Sequence, residues 1–94
     1  MVISSGSCLD ISEFDHQADA VLQTWYNGEK AGLALAEVIF GEVCPSGKLP
    51  VTFYYNDQPI PDFTDYHMWG RTYKFVQTQV AYPFGFGLSY TEFV

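Results

Sequence analysis

The segment from Ala18 to Phe53 constrains the chain more than any other. It holds two short apolar runs on either side of an amphipathic one, separated by strong turn signals. Ala20 to Tyr26 carries Val21, Leu22, Trp25 and Tyr26 and stops at Asn27-Gly28. A run this short, ended by a turn dipeptide, reads as a buried strand of a parallel sheet; the four-residue spacing of Val21 and Trp25 leaves a short helix open. Glu29 to Phe40 places Ala31, Leu35, Val38 and Ile39 on one helical stripe. Leu33, Ala36 and Phe40 widen the stripe, so the helix is expected to bury more than one side. Glu29 suits the positive end of the helix dipole, and Gly41 stands where a left-handed C-cap belongs. Gly32 costs about 1 kcal/mol against alanine inside a helix; close packing on a sheet would explain it. After the turn Pro45-Ser46-Gly47, the alternation Leu49, Val51, Phe53 reads as a short strand. Pro50 cannot donate to a ladder, which puts that strand at an edge or end.

Strand, helix and strand in one short stretch specify an α/β layered domain. The expected fold is a partial α/β sandwich, a mostly parallel sheet with flanking helices. Strands are expected near 2–5, 20–25 and 49–53 around a helix near 29–40, with the first two strands parallel. At 94 residues the chain has room for one domain at most. The expectation is a single incomplete α/β domain over residues 1–94. Met1 to Ser5 looks like the tail of a strand. Glu13 to Asp19 has room for one helical turn with Phe14 packed inward. Residues 54–68 have the turn chemistry of a loop in Asn56, Pro59 and Pro61, 70–76 alternate weakly as in a strand, and 82–94 read as a tight bend and an extended segment.

Composition enters through charge. The net charge is −7 with four basic residues, which argues against a nucleic-acid partner and an anionic membrane. No apolar run reaches the ~20 residues of a transmembrane helix, and Met1 opens no signal peptide, so the chain reads as soluble. An incomplete sheet leaves faces to cover. An apolar patch including Trp25, Phe40, Tyr82 and Phe84 is expected, with self-association or, as the family resemblance given below implies, docking on a missing N-terminal part of a longer protein.

Few residues offer chemistry. Cys8, Cys44, His16 and His67 are scattered without metal-ligand spacing, so no metal or cofactor is expected. Two buried free thiols are the preferred reading; a Cys8–Cys44 disulfide stays open. Ser4, Ser5, Ser7 and Ser46 sit in no Gly-x-Ser-x-Gly elbow, and Ser89 follows only half of one. Gly85-Phe86-Gly87 lacks the remaining features of a phosphate loop. Carboxylates remain. Asp57, Asp62 and Asp65 share a Pro-rich loop with Tyr54, Tyr55, Tyr66 and Trp69. Aromatic platforms beside carboxylates suit carbohydrate, while the plainer reading has the acids capping turns and the rings covering a core edge. Asp62, Asp65, Tyr66 and Trp69 are the candidate substrate-binding residues.

Five blocks together resemble the C-terminal α/β domain of family 3 glycoside hydrolases, the β-glucosidases, β-xylosidases and relatives. They are Ala18-Asp-Ala-Val-Leu-x-x-Trp-Tyr-x-Gly-Glu29, Gly32-x-Ala-x-Ala-Glu-Val-Ile-Phe-Gly41, Pro45-Ser-Gly-Lys-Leu-Pro-Val-Thr-Phe53, Asp65-Tyr-x-Met-x-Gly-Arg-Thr-Tyr-Lys74 and Tyr82-Pro-Phe-Gly-Phe-Gly-Leu-Ser-Tyr-Thr-x-Phe93. Gly6-Ser-Cys-Leu-Asp10 also looks like the loop after the family's preceding strand. The resemblance implies a parent enzyme that releases glucose or xylose from the non-reducing end of β-linked glycosides. In that family the nucleophile is an aspartate on an N-terminal barrel, and the acid/base is usually a glutamate upstream of these blocks. No catalytic residue is therefore expected in this chain, which reads as a scaffold fragment. Asn27 departs from the proline usual at its position. The last block normally leads into a fibronectin type III-like domain, which assigns residues 82–94 to that passage. Two alternatives are a stand-alone carbohydrate-binding or interaction module of the same fold, and a small enzyme using Asp62 or Asp65.

Overall fold

A computed structural model of the chain describes residues 1–57, 60–70, 75–76 and 79–94. Four elements follow in order: β1 (Val2–Ile3), α1 (Ser12–Asp15), β2 (Leu22–Gln23) and α2 (Ala31–Ile39). β1 and β2 pair in parallel, Val2 opposite Leu22 and Ile3 opposite Gln23. The parallel first pair and the helix that follows it are those expected from the sequence. Each strand is only two residues long. The N-terminal ammonium extends the pairing by donating to the Ala20 carbonyl at 2.7 Å, and Thr24 N–H donates to Ile3 O at 2.9 Å.

The turn after β2 is tight. Trp25 has φ 57°, a left-handed conformation that costs a bulky residue free energy. Two contacts hold it there. Ser4 Oγ donates to the Trp25 carbonyl at 2.8 Å, and the indole meets the Phe53 ring edge-on at a centroid distance of 6.1 Å.

α2 ends as the sequence predicts. Gly41 has φ 78°; its N–H donates to Val38 O at 3.2 Å, and Glu42 N–H donates to Glu37 O at 2.8 Å. This is the paired pattern of a Schellman C-cap. The start differs: α2 begins at Ala31, so Glu29 precedes its first turn. The expected burial on more than one side is overturned. Leu33 is 59%, Ile39 50% and Phe40 81% exposed, and no α2 residue is buried. Only Ala31 and the stretch 35–38 are half-buried. A sheet two strands wide has too little surface to cover a second helix face. Nor does Gly32 answer a close contact, since a Cβ there would meet nothing within 4 Å.

Residues 49–53 do not form the expected strand. They meet the C-terminal stretch in an irregular antiparallel zip: Leu49 N–H donates to Phe86 O at 2.9 Å, Gly85 N–H to Leu49 O at 2.8 Å, and Phe53 N–H to Tyr82 O at 2.8 Å. Among the described residues, Phe53 and Tyr82 form the one isolated bridge. Pro50, between these contacts, has no N–H to continue a ladder. Lys48 Nζ also donates to the Gly87 carbonyl. At the far end, Tyr90 OH donates to Val38 O at 2.8 Å, tying the last segment to α2. The strand expected at 70–76 falls largely on residues 71–74, outside the described residues.

The core is small. Ile3, Ile11, Thr52 and Phe53 are buried, and Phe53 is 3% exposed. Phe14 in α1 is 54% exposed and does not pack inward as expected, because α1 spans a single turn over a polar loop. The accessible surface of 7473 Å² exceeds the roughly 5,500 Å² of a compact protein of this mass. The radius of gyration, 15.3 Å, likewise exceeds the ~13 Å of a compact 100-residue domain. Of the residues expected in an apolar patch, Phe40 is 81% and Phe84 39% exposed. Trp25 and Tyr82 depart from it: both are half-buried, Trp25 on Phe53 and Tyr82 on Phe86 at 5.2 Å.

Candidate functional site

The loop 60–70 is built from two successive aspartate turns. Asp62 Oδ1 accepts from Thr64 N–H at 2.8 Å and Thr64 Oγ1 at 2.6 Å. Asp65 N–H then donates to Asp62 O at 3.0 Å. Asp65 Oδ1 repeats the pattern, accepting from His67 N–H at 3.0 Å and lying 2.8 Å from His67 Nδ1. Short polar side chains bonding backbone two residues on are what give aspartate its place in turns. Gly70, at φ 69°, closes the loop.

These turns push the larger side chains outward. Phe63 is 86%, Tyr66 83% and Trp69 77% exposed. Thr64, Asp65, Tyr66 and His67 line an open depression of about 320 Å³. Of the four candidates, Asp65 and Tyr66 therefore share a surface. Asp62 reaches it through Thr64, and Trp69 stands outside its lining. The depression is shallow and faces solvent, so nothing strengthens electrostatics there as a dry cleft would.

A second depression, about 420 Å³, is lined by Asp10, Ser12, Tyr55, Asp57 and Gln79. Asp10 is a clamp that the sequence reading did not single out. Oδ1 accepts from Ser12 N–H at 2.9 Å and Oδ2 from Asn56 N–H at 2.8 Å, joining the start of α1 to the loop after Phe53. The Ser12 hydrogen bonds, followed by that from Asn56, hold its carboxyl below the ordinary aspartate range. The short-range half of this clamp, Asp10 two residues before Ser12, is a turn signal visible in the sequence. The Asn56 half joins positions 46 apart, and no local pattern announces it.

Three of the serines are engaged with backbone. Ser4 and Ser5 donate to the backbone carbonyls of Trp25 and Ser7, and Ser89 Oγ accepts from Thr91 N–H at 3.3 Å. Both cysteines are free thiols, as preferred, but neither is buried: Cys8 is half-buried and Cys44 exposed. Cys44 Sγ lies 3.5 Å from Thr91 Oγ1, and that hydroxyl, with the Tyr90 backbone next, draws the thiol below its usual range. Among the described residues, no three His, Cys, Asp or Glu side chains gather as a metal site.

The model of the glycosyl hydrolase family 3 C-terminal domain matches residues 1–90. The chain is 49% identical to a xylan 1,4-beta-xylosidase of Xylanibacter ruminicola, with 95% of this chain and 10% of that protein covered. It is 39% identical to a periplasmic beta-glucosidase of Salmonella typhimurium, over 99% of this chain and 14% of that protein. It is 40% identical to beta-D-xylosidase 1 of Arabidopsis thaliana, over 99% of this chain and 13% of that protein. The chain thus spans between 10% and 14% of the length of these three relatives. No solved structure matches it. The sequence blocks, the parallel strand pair with its following helix and the match over residues 1–90 lead to one assignment: the chain belongs to glycosyl hydrolase family 3, in whose C-terminal domain its sequence lies.

Proposed function

We propose that the chain is a scaffold part of a family 3 hydrolase that releases glucose or xylose from the non-reducing end of β-linked glycosides. On this reading it holds neither catalytic carboxylate. The observation that carries the proposal is the match over residues 1–90 to a C-terminal domain, shared with relatives called xylosidases and a glucosidase. The geometry of the loop supports it. Retaining hydrolysis needs two carboxyl groups about 5–5.5 Å apart across the sugar, one as nucleophile and one as acid. Asp62 and Asp65 each spend an oxygen on their own turn and stand on an open surface.

The fold reading extends in the same direction. The β1–β2 pair and α2 form one piece of a wider α/β sandwich, completed by docking on further sequence of the enzyme or, in its absence, by self-association. Residues 82–94 pass toward a fibronectin type III-like domain. Asp62, Asp65, Tyr66 and Trp69 contact substrate at the margin of the assembled site. The exposed rings of Tyr66 and Trp69 also favour a second reading, a carbohydrate-binding module acting alone. Nitrophenyl β-glucoside and β-xyloside assays on the purified chain, with titration of xylo- and cello-oligosaccharides, separate the readings. The scaffold reading expects neither turnover nor binding by the chain alone. Saturable oligosaccharide binding lost in Trp69→Ala favours the module. Turnover lost in Asp62→Asn or Asp65→Asn overturns both.

A further inference from the structure

The loop between β2 and α2 carries a chemical liability independent of glycoside hydrolysis. Asn27 and Gly28 are both exposed and lie outside regular structure. A Cβ on Gly28 would meet nothing within 4 Å, so no neighbouring group crowds its backbone. Its carbonyl accepts from Ala31 N–H at 3.2 Å, while its own N–H donates to none of the described acceptors. An amide side chain thus sits directly before an uncommitted peptide nitrogen, on the residue that resists backbone rotation least.

We propose that Asn27 is a site of spontaneous covalent modification, cyclising onto Gly28 and opening to aspartate and isoaspartate. The Gly28 nitrogen gives its proton to solvent base and attacks Asn27 Cγ. The N–Cγ bond forms, the Cγ–Nδ2 bond breaks, and the side-chain nitrogen leaves as ammonia with a proton from solvent. A five-membered succinimide results, with no electron transferred to or from the chain. Water then adds at one of the two ring carbonyls. Attack at Cγ restores an ordinary aspartate; attack at the backbone carbonyl leaves the chain running through the side chain as isoaspartate. Both products add one negative charge to a chain already at −7. Isoaspartate also inserts a methylene between the strained Trp25 turn and α2.

Asn56, the second asparagine, is a built-in control. It precedes Asp57, whose side chain hinders attack by the Asp57 nitrogen, and the bond from its own N–H to Asp10 at 2.8 Å restrains the backbone that would have to rotate.

The test is timed incubation of the purified chain in mildly alkaline buffer, native and in denaturant, followed by intact mass, peptide mapping and enzymatic methylation of isoaspartate. The expected result is a gain of about 1 Da, mapped to Asn27, with methylatable product. Its native rate should fall within several-fold of the denatured one. Asn27→Gln should abolish the gain and Gly28→Ala should slow it several-fold; the denatured arms make both readings independent of folding. A native sample that stays unmodified while the denatured one ages, or equal ageing at Asn56, overturns the proposal.

Discussion

Tyr82 shows how much a single side chain carries here. Its hydroxyl donates to the Asp15 carboxylate, while its ring lies against Phe86. Burial first, then the Asp15 hydrogen bond and charge, then Tyr55, push the phenol from 10.0 up to about 12. A folded-state value above the unfolded one means that this contribution is complete below pH 10.0 and disappears as pH climbs toward 12. Denaturant melts against pH should therefore show stability falling across that window, and Tyr82→Phe should flatten the fall. An unchanged alkaline profile in the variant would show that the hydroxyl contributes nothing. Neither partner was legible in the sequence, because the pair joins positions 67 apart. The aspartate turns at Asp62 and Asp65 were legible, because their geometry is local and their chemistry belongs to the residue type.

At the scale of elements, legibility follows contact range in the same way. The stop of α2 at Gly41 and the strand before it were readable from turn chemistry and apolar spacing. The lengths of the strands and the exposure of α2 were not, since both depend on how much sheet surrounds them. The strand expected at 49–53, placed by Pro50 at an edge or end, did not form; a single bridge at Phe53 is what remains of it. Two substitutions test this account of the elements. Gly32 faces open space inside α2, so Gly32→Ala should raise stability by about 0.4–1 kcal/mol. A thermal melt shifted downward would mean that the glycine is needed for a contact. Gly87 is the opposite case, because a Cβ there would run into the Gly47 carbonyl. Gly87→Ala should cost about 1–3 kcal/mol by forcing apart the zip between 47–53 and 82–87, read as a lower denaturation midpoint.

The whole molecule is marked by what it leaves uncovered. Ile39 and Phe40 on α2, Leu88 and Phe93 in the last segment, and Phe63, Tyr66 and Trp69 in the loop are at least half exposed. A surface of this kind should bind apolar dye and drive concentration-dependent association, which sedimentation can follow. A compact monomer without dye binding would contradict the incomplete core. The expected α/β character was legible because strand, turn and helix each leave a local pattern. How few of the described residues end up buried was not, because burial is decided by neighbours that a pattern cannot count. The central claim is that this chain is scaffold. Its most direct test is hydrolysis of nitrophenyl β-glucoside and β-xyloside by the chain purified to homogeneity, beside its Asp62→Asn and Asp65→Asn variants. Background rates are expected for all three proteins, since retaining hydrolysis needs a nucleophile and an acid placed together and, on this reading, neither belongs to the chain. Turnover by the unsubstituted chain that either variant abolishes would contradict it.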